Sequence, residues 1–241
     1  MRRRILGSLG VGLPLAALLA ACASPGTELD LTAHLAPESA AGDFKLFAVA
    51  DGTERRLETL RVEPRTEGRY EVGEFRLDGK PVGGTEAVVL PGRELAVLVS
   101  RSGPLTVSWK PPGLVRPLRV SVGGTHKARA RGHAEEHGSY VGPATEWARG
   151  TLMGFGPCET PVAAYPDAAR FEESITFRVE DEARRRTLEV QVEGEACYAP
   201  GLGLVAATER VRTFVNGSLL RDSGEVYWYL VSGTILGVAI P

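Results

Sequence analysis

Many of the residues that announce an enzyme or a helical protein are scarce in this chain. Its 241 residues include 3 Cys, 2 Met and 4 His, and aromatic side chains make up 7%. Apolar residues recurring at every third and fourth position are nearly missing, which excludes a helical bundle. The chain after residue 21 has no G-x-S-x-G elbow and no S-x-x-K motif, two familiar settings of a serine nucleophile. Gly201-Leu202-Gly203 lacks the third glycine and the following helix of a nucleotide loop and predicts a β-turn or bulge. No cofactor is implied. Positive charge is short as well: Lys+Arg number 28 against 30 Asp+Glu, with lysine only at Lys45, Lys80, Lys110 and Lys127. A nucleic-acid partner is excluded on that ground, because neutralising phosphates demands a basic face.

The longest apolar run starts after Arg2, Arg3 and Arg4 and extends from Ile5 to Leu19, interrupted by Gly7, Gly10, Gly12 and Pro14. It is too short for a spanning helix and small residues follow it, so residues 1–21 read as a secretion signal. Leu19-Ala20-Ala21-Cys22 resembles the bacterial lipobox, where signal peptidase II cleaves before a cysteine that carries a diacylglyceryl group. The resemblance implies that Cys22 is the lipidated first residue of the mature protein and that membrane lipid, through the acyl anchor, is a partner. Ala23 resembles the residues that permit release to an outer membrane, where the host has one. Cleavage at a nearby Ala-x-Ala site, with Cys22 incidental, is the alternative.

Without residues 1–21 there remain 220 residues carrying 25 basic and 30 acidic side chains, a net charge of −5. That length builds a core with no disulfide scaffold. Residues 22–42 are rich in Ala, Pro, Gly, Ser and Thr and predict a lipidated tether, with His34 solvated. Cys158 and Cys197 either pair or lie as buried free thiols, and the oxidising compartment favours the pair.

From Phe44 onward, short runs alternate with period two between Gly and Pro breaks, the signature of an all-β fold. Strands are expected at 44–50, 56–62, 70–77, 86–90, 94–99, 105–109 and 117–122, with Pro111-Pro112-Gly113 forcing a turn or a change of sheet. Gly123-Gly124 marks a candidate boundary between two antiparallel β units, sandwich-like over 43–122 and a curled sheet or half-barrel over 123–241. In the second, Phe171, Ile175, Phe177 and Val179 share one parity with Glu173 as the exception, and Leu188, Val190 and Val192 share one face of the next run. Charged residues 180–186 join these runs, Asn216-Gly217 predicts a tight hairpin, and Glu225 to Leu236 is apolar on both faces, as in a covered strand. Ala144 to Thr151 is the one stretch that reads as helical.

His133-Ala134-Glu135-Glu136-His137 matches the H-x-x-E-H pattern of inverted zinc peptidases. That chemistry needs a helix, so that both histidines meet one metal. Here Ala128, Ala130, Gly132 and Ala134 alternate with Arg129, Arg131, His133 and Glu135. On such a strand the histidines stand about 13 Å apart, and a solvated face is expected, with no metal site and no catalytic residues. Trp147, Phe171, Phe177 and Trp228 are candidates to line a cavity for an apolar ligand, the alternative being that they are core.

Cys197-Tyr198-Ala199-Pro200-Gly201-Leu202-Gly203-Leu204-Val205, within residues 160–211, resembles a passage of bacterial envelope proteins with a curled antiparallel sheet, similar in shape to periplasmic lipoprotein carriers. The family's basic residue after the valine is replaced by Ala206, so the resemblance implies sheet topology and not activity. The expectation is therefore a lipid-anchored, extracytoplasmic protein of the bacterial envelope. It would act by binding, either an apolar ligand or an envelope protein partner. A hydrolase with a dispersed site, or a purely structural lipoprotein, are the other readings. Replacing Cys22 with Ser should leave the precursor uncleaved on an immunoblot of membrane fractions; normal maturation of that variant contradicts the lipobox.

Overall fold

Between Val141 and Leu152 the buried positions are Gly142, Ala144, Glu146, Ala148, Gly150 and Leu152, while Pro143, Trp147 and Arg149 are exposed. A period of two is a strand, and the same alternation builds the rest of the molecule. The computed structural model describes residues 26–35, 43–50, 55–64, 69–76, 81–90, 94–102, 104–235 and 238–240. The leader and Cys22 lie outside the described residues.

The elements begin with β1 (Leu29–Asp30), α1 (Thr32–Leu35), β2 (Asp43–Ala50), β3 (Arg55–Pro64), β4 (Arg69–Arg76), β5 (Pro81–Leu90) and β6 (Glu94–Ser102). There follow β7 (Leu105–Pro117), β8 (Arg119–Val120), β9 (Thr125–Glu136), β10 (Ser139–Glu159), β11 (Ala164–Asp181), β12 (Arg186–Ala199), β13 (Gly203–Val215), β14 (Ser218–Ile235) and β15 (Val238–Ile240). The fold is all-β, and neighbouring strands pair antiparallel throughout. One thirteen-stranded sheet takes in everything but β1 and β8. Because β14 pairs with β13 along one edge and with β2 along the other, the ladder closes on itself into a barrel. Closure leaves few unpaired edges to recruit another chain. Gly123 falls in the turn between β8 and β9, but hydrogen bonding continues across it through the β7–β9 pair.

Two expectations are corrected here. Ala144 to Thr151 is not helical but the middle of β10: its small residues are the inward half of a strand, seated opposite larger neighbours. Pro111-Pro112-Gly113 does not end a strand. Between the pairs Val97↔Gly113 and Val99↔Ser108, β7 takes five steps against two on β6, and its pairing with β9 has already ended at Trp109↔Gly132. The prolines thus sit in a bulge where no ladder bond needs their missing N–H.

Large and small side chains alternate across the concave face. Val107 and Trp109 on β7 and Phe177 and Val179 on β11 pack over Ala130, Ala134 and Ala144 on β9 and β10, and Trp109 meets Phe177 edge-on at 5.9 Å. A second cluster fills the opposite end, where Leu118, Val120, Leu152, Phe171 and Tyr198 surround Leu31. Leu31 is fully buried, β1 pairs with β8, and Gly201 N donates to the carbonyl of Ala33. The tether expected over 22–42 is therefore docked from Leu29 to His34. His34 donates from Nε2 to the carbonyl of Asp167 at 3.2 Å and meets Phe155 at 5.5 Å, so it is a contact residue and not a solvated one. A four-residue apolar signal around Leu31 is too brief to show as periodicity.

At the same end the β10–β11 hairpin folds back over the convex face. Register shifts between Leu152 and Gly154 and between Gly156 and Cys158 bend it. Cys158 is bonded to Cys197, with Cα atoms 6.4 Å apart, and Tyr227 Oη donates to the carbonyl of Glu159 at 3.3 Å. Closing a loop across 39 residues stabilises the fold by about 4 kcal/mol in the chain-entropy account.

The other end carries the tight turns and is tied by charge. Asn216 and Gly217 take φ of 50° and 79°, the left-handed pair a two-residue hairpin requires. The Asp181 carboxylate, 5% exposed, accepts from Arg184 and Arg186 at 3.0 Å each, and Arg184 also donates to Glu136 at 2.8 Å. Burial opposes ionisation of Asp181, but the hydrogen bonds from Arg184 and Arg186 outweigh it and hold the carboxyl below its ordinary range. The Arg210 fork and the Gly224 N–H hold Asp222 down at about 2.

Leu31→Ala should cost about 2–5 kcal/mol in urea unfolding of the mature protein, as for other fully buried leucines; a loss below about 0.5 kcal/mol contradicts the docked segment. Asp181 and Asp222 have folded pKa values below their unfolded ones, so their contribution is full above the unfolded value near pH 4 and is lost as pH falls through the folded one, about 2 for Asp222. Acid titration followed by circular dichroism should show that loss, and Asp222→Asn should flatten part of it.

Candidate functional site

The convex face is the wrong place to look for lipid or substrate. It presents Lys127, Arg129 and Arg131 on β9 and Glu193 and Glu195 on β12, crossed by the pairs Arg170–Glu195 and Arg212–Glu193. Lipid-facing strands do not tolerate such rows, so these strands do not face a bilayer core. An outer hollow of about 370 Å³ lies among Arg149, Glu172, Ser174, Glu193 and Glu195, and it is polar and open.

The concave face differs. Between its two packed clusters, one row of the ladder runs Glu173↔Gly194↔Glu209 across β11, β12 and β13. Gly194 brings β12 and β13 close: a Cβ there would lie 1.9 Å from the carbonyl oxygen of Thr208. The floor is thus bare backbone, and a cleft of about 220 Å³ opens over it, walled by Ile175, Val192, Ala196 and Leu204 and by Glu173 and Glu209. Ile175, Val192 and Leu204 are only partly buried, so apolar surface is left facing the cleft.

Each polar group in the cleft is held from behind. Tyr198 Oη donates to Glu173 Oε2 at 3.4 Å, and Trp228 Nε1 donates to Glu209 Oε1 at 2.8 Å. Tyr198 is steadied in turn by an edge contact with Phe171 at 5.8 Å. The arrangement offers an apolar wall with carboxylate acceptors at its margin. It can hold a ligand and orient a donor group.

The four aromatic candidates are dispersed. Phe171 is buried behind Tyr198, Phe177 packs on Trp109 in the other cluster, and Trp228 borders the cleft through Glu209. Trp147 points outward, 38% exposed, with the Arg129 guanidinium 5.4 Å above its ring. The wall itself is made of Ile175, Val192 and Leu204, none of them among the candidates drawn from the sequence. Glu173, the single acid in an apolar parity, is the signal that locates it.

His133 and His137 do not converge. His133 extends outward toward Glu135 at 3.6 Å, and His137 takes a turn conformation with φ of 53°. Among the described residues no three His, Cys, Asp or Glu side chains gather as a metal would require. The shifted carboxyls, Asp181 and Asp222, belong to the turn end and serve structure there.

No protein-family model matches the chain, and no curated protein does. Among solved structures, the chain is similar to a provisionally named lipoprotein from Parabacteroides distasonis ATCC 8503, at 13% identity and a TM-score of 0.44, over 80% of this chain and 94% of that one. It is also similar to a provisionally named exported protein with a YmcC-like fold from Bacteroides fragilis NCTC 9343, at 12% identity and a TM-score of 0.42, over 87% and 100% of the two chains.

Proposed function

We propose that this protein is an extracytoplasmic lipoprotein of the bacterial envelope, anchored by acyl chains on Cys22, that binds an apolar or amphipathic ligand in the interior of its barrel and performs no covalent chemistry. The observation that carries the reading is the cleft over Gly194, where Ile175, Val192 and Leu204 leave apolar surface uncovered between two well-packed clusters. A concave apolar wall with few, fixed polar groups is the general form of a small-molecule site. Glu173 and Glu209 suit a ligand whose polar end donates hydrogen bonds. The leader, the lipobox and the disulfide agree with export.

A second reading, an envelope protein partner, is favoured by Leu219 and Leu220, 56% and 69% exposed beside the Asn216-Gly217 turn. Two adjacent exposed leucines at a hairpin tip suit a protein contact.

Binding of a fluorescent long-chain amine, whose polar end donates hydrogen bonds, separates these. The mature protein should bind it with a change in Trp228 emission, and Val192→Asp should weaken binding at least about tenfold, because the ligand would then desolvate a charge. Leu220→Ser should leave it unchanged. Equal affinity of Val192→Asp and the parent contradicts the cleft reading; native mass spectrometry of protein extracted from its own membrane would then report a bound partner.

A further inference from the structure

We infer that the barrel rests on the membrane by the end that carries β8, the β10–β11 bend and the docked N-terminal segment, with Met153 and Phe155 as the lipid-contacting side chains. The inference rests on lipid anchoring at Cys22. Its geometry comes from where the chain emerges. β1 runs antiparallel to β8 with Leu29 opposite Val120, so the residues before Leu29 run alongside β8 in the direction of Val122. Val122 is the neighbour a Cβ on Gly154 would meet, at 4.0 Å. Gly154 lies between Met153, 56% exposed, and Phe155, 44% exposed. Phe155 also touches His34 of the docked segment.

The chain therefore enters the body beside two uncovered apolar side chains. From Cys22 to Leu29, the first docked residue, is seven residues, which span at most about 25 Å when fully extended. An acyl group on Cys22 consequently keeps this end within reach of the bilayer interface and keeps the turn end, with Leu219 and Leu220, away from it. Val162, 45% exposed at the tip of the same hairpin, adds apolar surface to that end. Charge gives no basic patch there: Glu28, Asp30, Glu159 and Asp167 are exposed nearby, with Arg119 on β8 opposite Asp30. The contact is apolar, and it should neither need anionic lipid nor respond to salt.

The test uses the mature lipoprotein reconstituted in phosphatidylcholine vesicles whose acyl chains carry bromine, a quencher of tryptophan emission. Met153→Trp and Leu220→Trp are each compared with the parent, which supplies the background of Trp109, Trp147 and Trp228. Emission from position 153 should fall about twofold, as for side chains buried about 5–10 Å into the interface, and emission from position 220 should not change. Equal quenching at both positions, or none at 153, overturns the orientation. Intact mass of the same samples reads the acyl group independently. A lipidated protein without quenching at 153 refutes the contact surface alone, whereas an unmodified Cys22 refutes the anchor. In that second case, tethering the same variants by an N-terminal histidine tag to nickel-chelating vesicles decides the surface by the same quenching pattern.

Discussion

Because successive side chains of a strand point to opposite faces, the pairing of Glu173 with Gly194, and of Gly194 with Glu209, decides which residues line the interior and which meet water. A slip of one residue would place Glu172, Glu193 and Glu195 inside and Phe171, Ile175 and Val192 outside. The charged convex face and the apolar concave face thus depend on one register. That register is pinned at its ends. Asn216-Gly217 sets it between β13 and β14, and Asp181 with Arg184 and Arg186 sets it between β11 and β12. The bond from Cys158 to Cys197 secures the far end of β10 against β12, across the intervening strand.

The interior is not uniformly filled, and the pattern of filling follows from side-chain size. On β10 the inward residues are Ala144, Glu146, Ala148, Gly150 and Leu152, too small to reach across a barrel by themselves. At the turn end Trp109 and Phe177 supply the missing volume; at the other end Leu31 and Leu118 do. Midway along β11 and β12 the inward residues are Glu173, Ile175, Val192 and Gly194, and among the described residues no large side chain lies over Gly194. A Cβ at position 194 would collide with the carbonyl oxygen of Thr208, so β12 itself cannot fill the row with a side chain. Bare backbone flanked by two inward carboxylates suits a site better than it suits packing.

Local chemistry made much of the fold legible. Alternation over 171–179 and 188–192 predicts β11 and β12, the Asn-Gly pair predicts the hairpin, and two cysteines after a leader that reads as a secretion signal predict their bond. Glu173 stands out already in the sequence as an acid in an apolar parity. What was not legible depends on distant partners. Ala144, Ala148 and Glu146 suit a helix until Trp109 and Phe177 are known to supply the bulk that alanine lacks, and Pro111-Pro112 ends a strand unless the neighbour allows a bulge. Leu31 in a Pro- and Ala-rich stretch looks like linker because its pocket is assembled from β8, β10, β11 and β12. Closure of β14 onto β2 is likewise a property of the whole ladder, which no window of the sequence contains.

Docking of Leu29 to His34 would change the mechanics of a chain anchored, as proposed, at Cys22. A free coil of about 20 residues has a root-mean-square reach of about 25 Å and lets a body rotate without bias. With Leu31 buried and Gly201 bonded to Ala33, the chain is held from Leu29 onward, seven residues after Cys22. Seven residues have a root-mean-square reach of about 15 Å and span at most about 25 Å, less than the about 45 Å that the 14 residues of β12 cover, so a body anchored at Cys22 would not turn its far end to the surface without pulling the anchor or releasing Leu31. Releasing Leu31 would open a cavity costing about 2–5 kcal/mol, more than thermal agitation provides at ordinary frequency. The same buried side chain therefore closes one end of the barrel and would set which end the proposed acyl anchor holds down. It also leaves the cleft over Gly194 partway up the barrel, above the anchored end and below the tight turns.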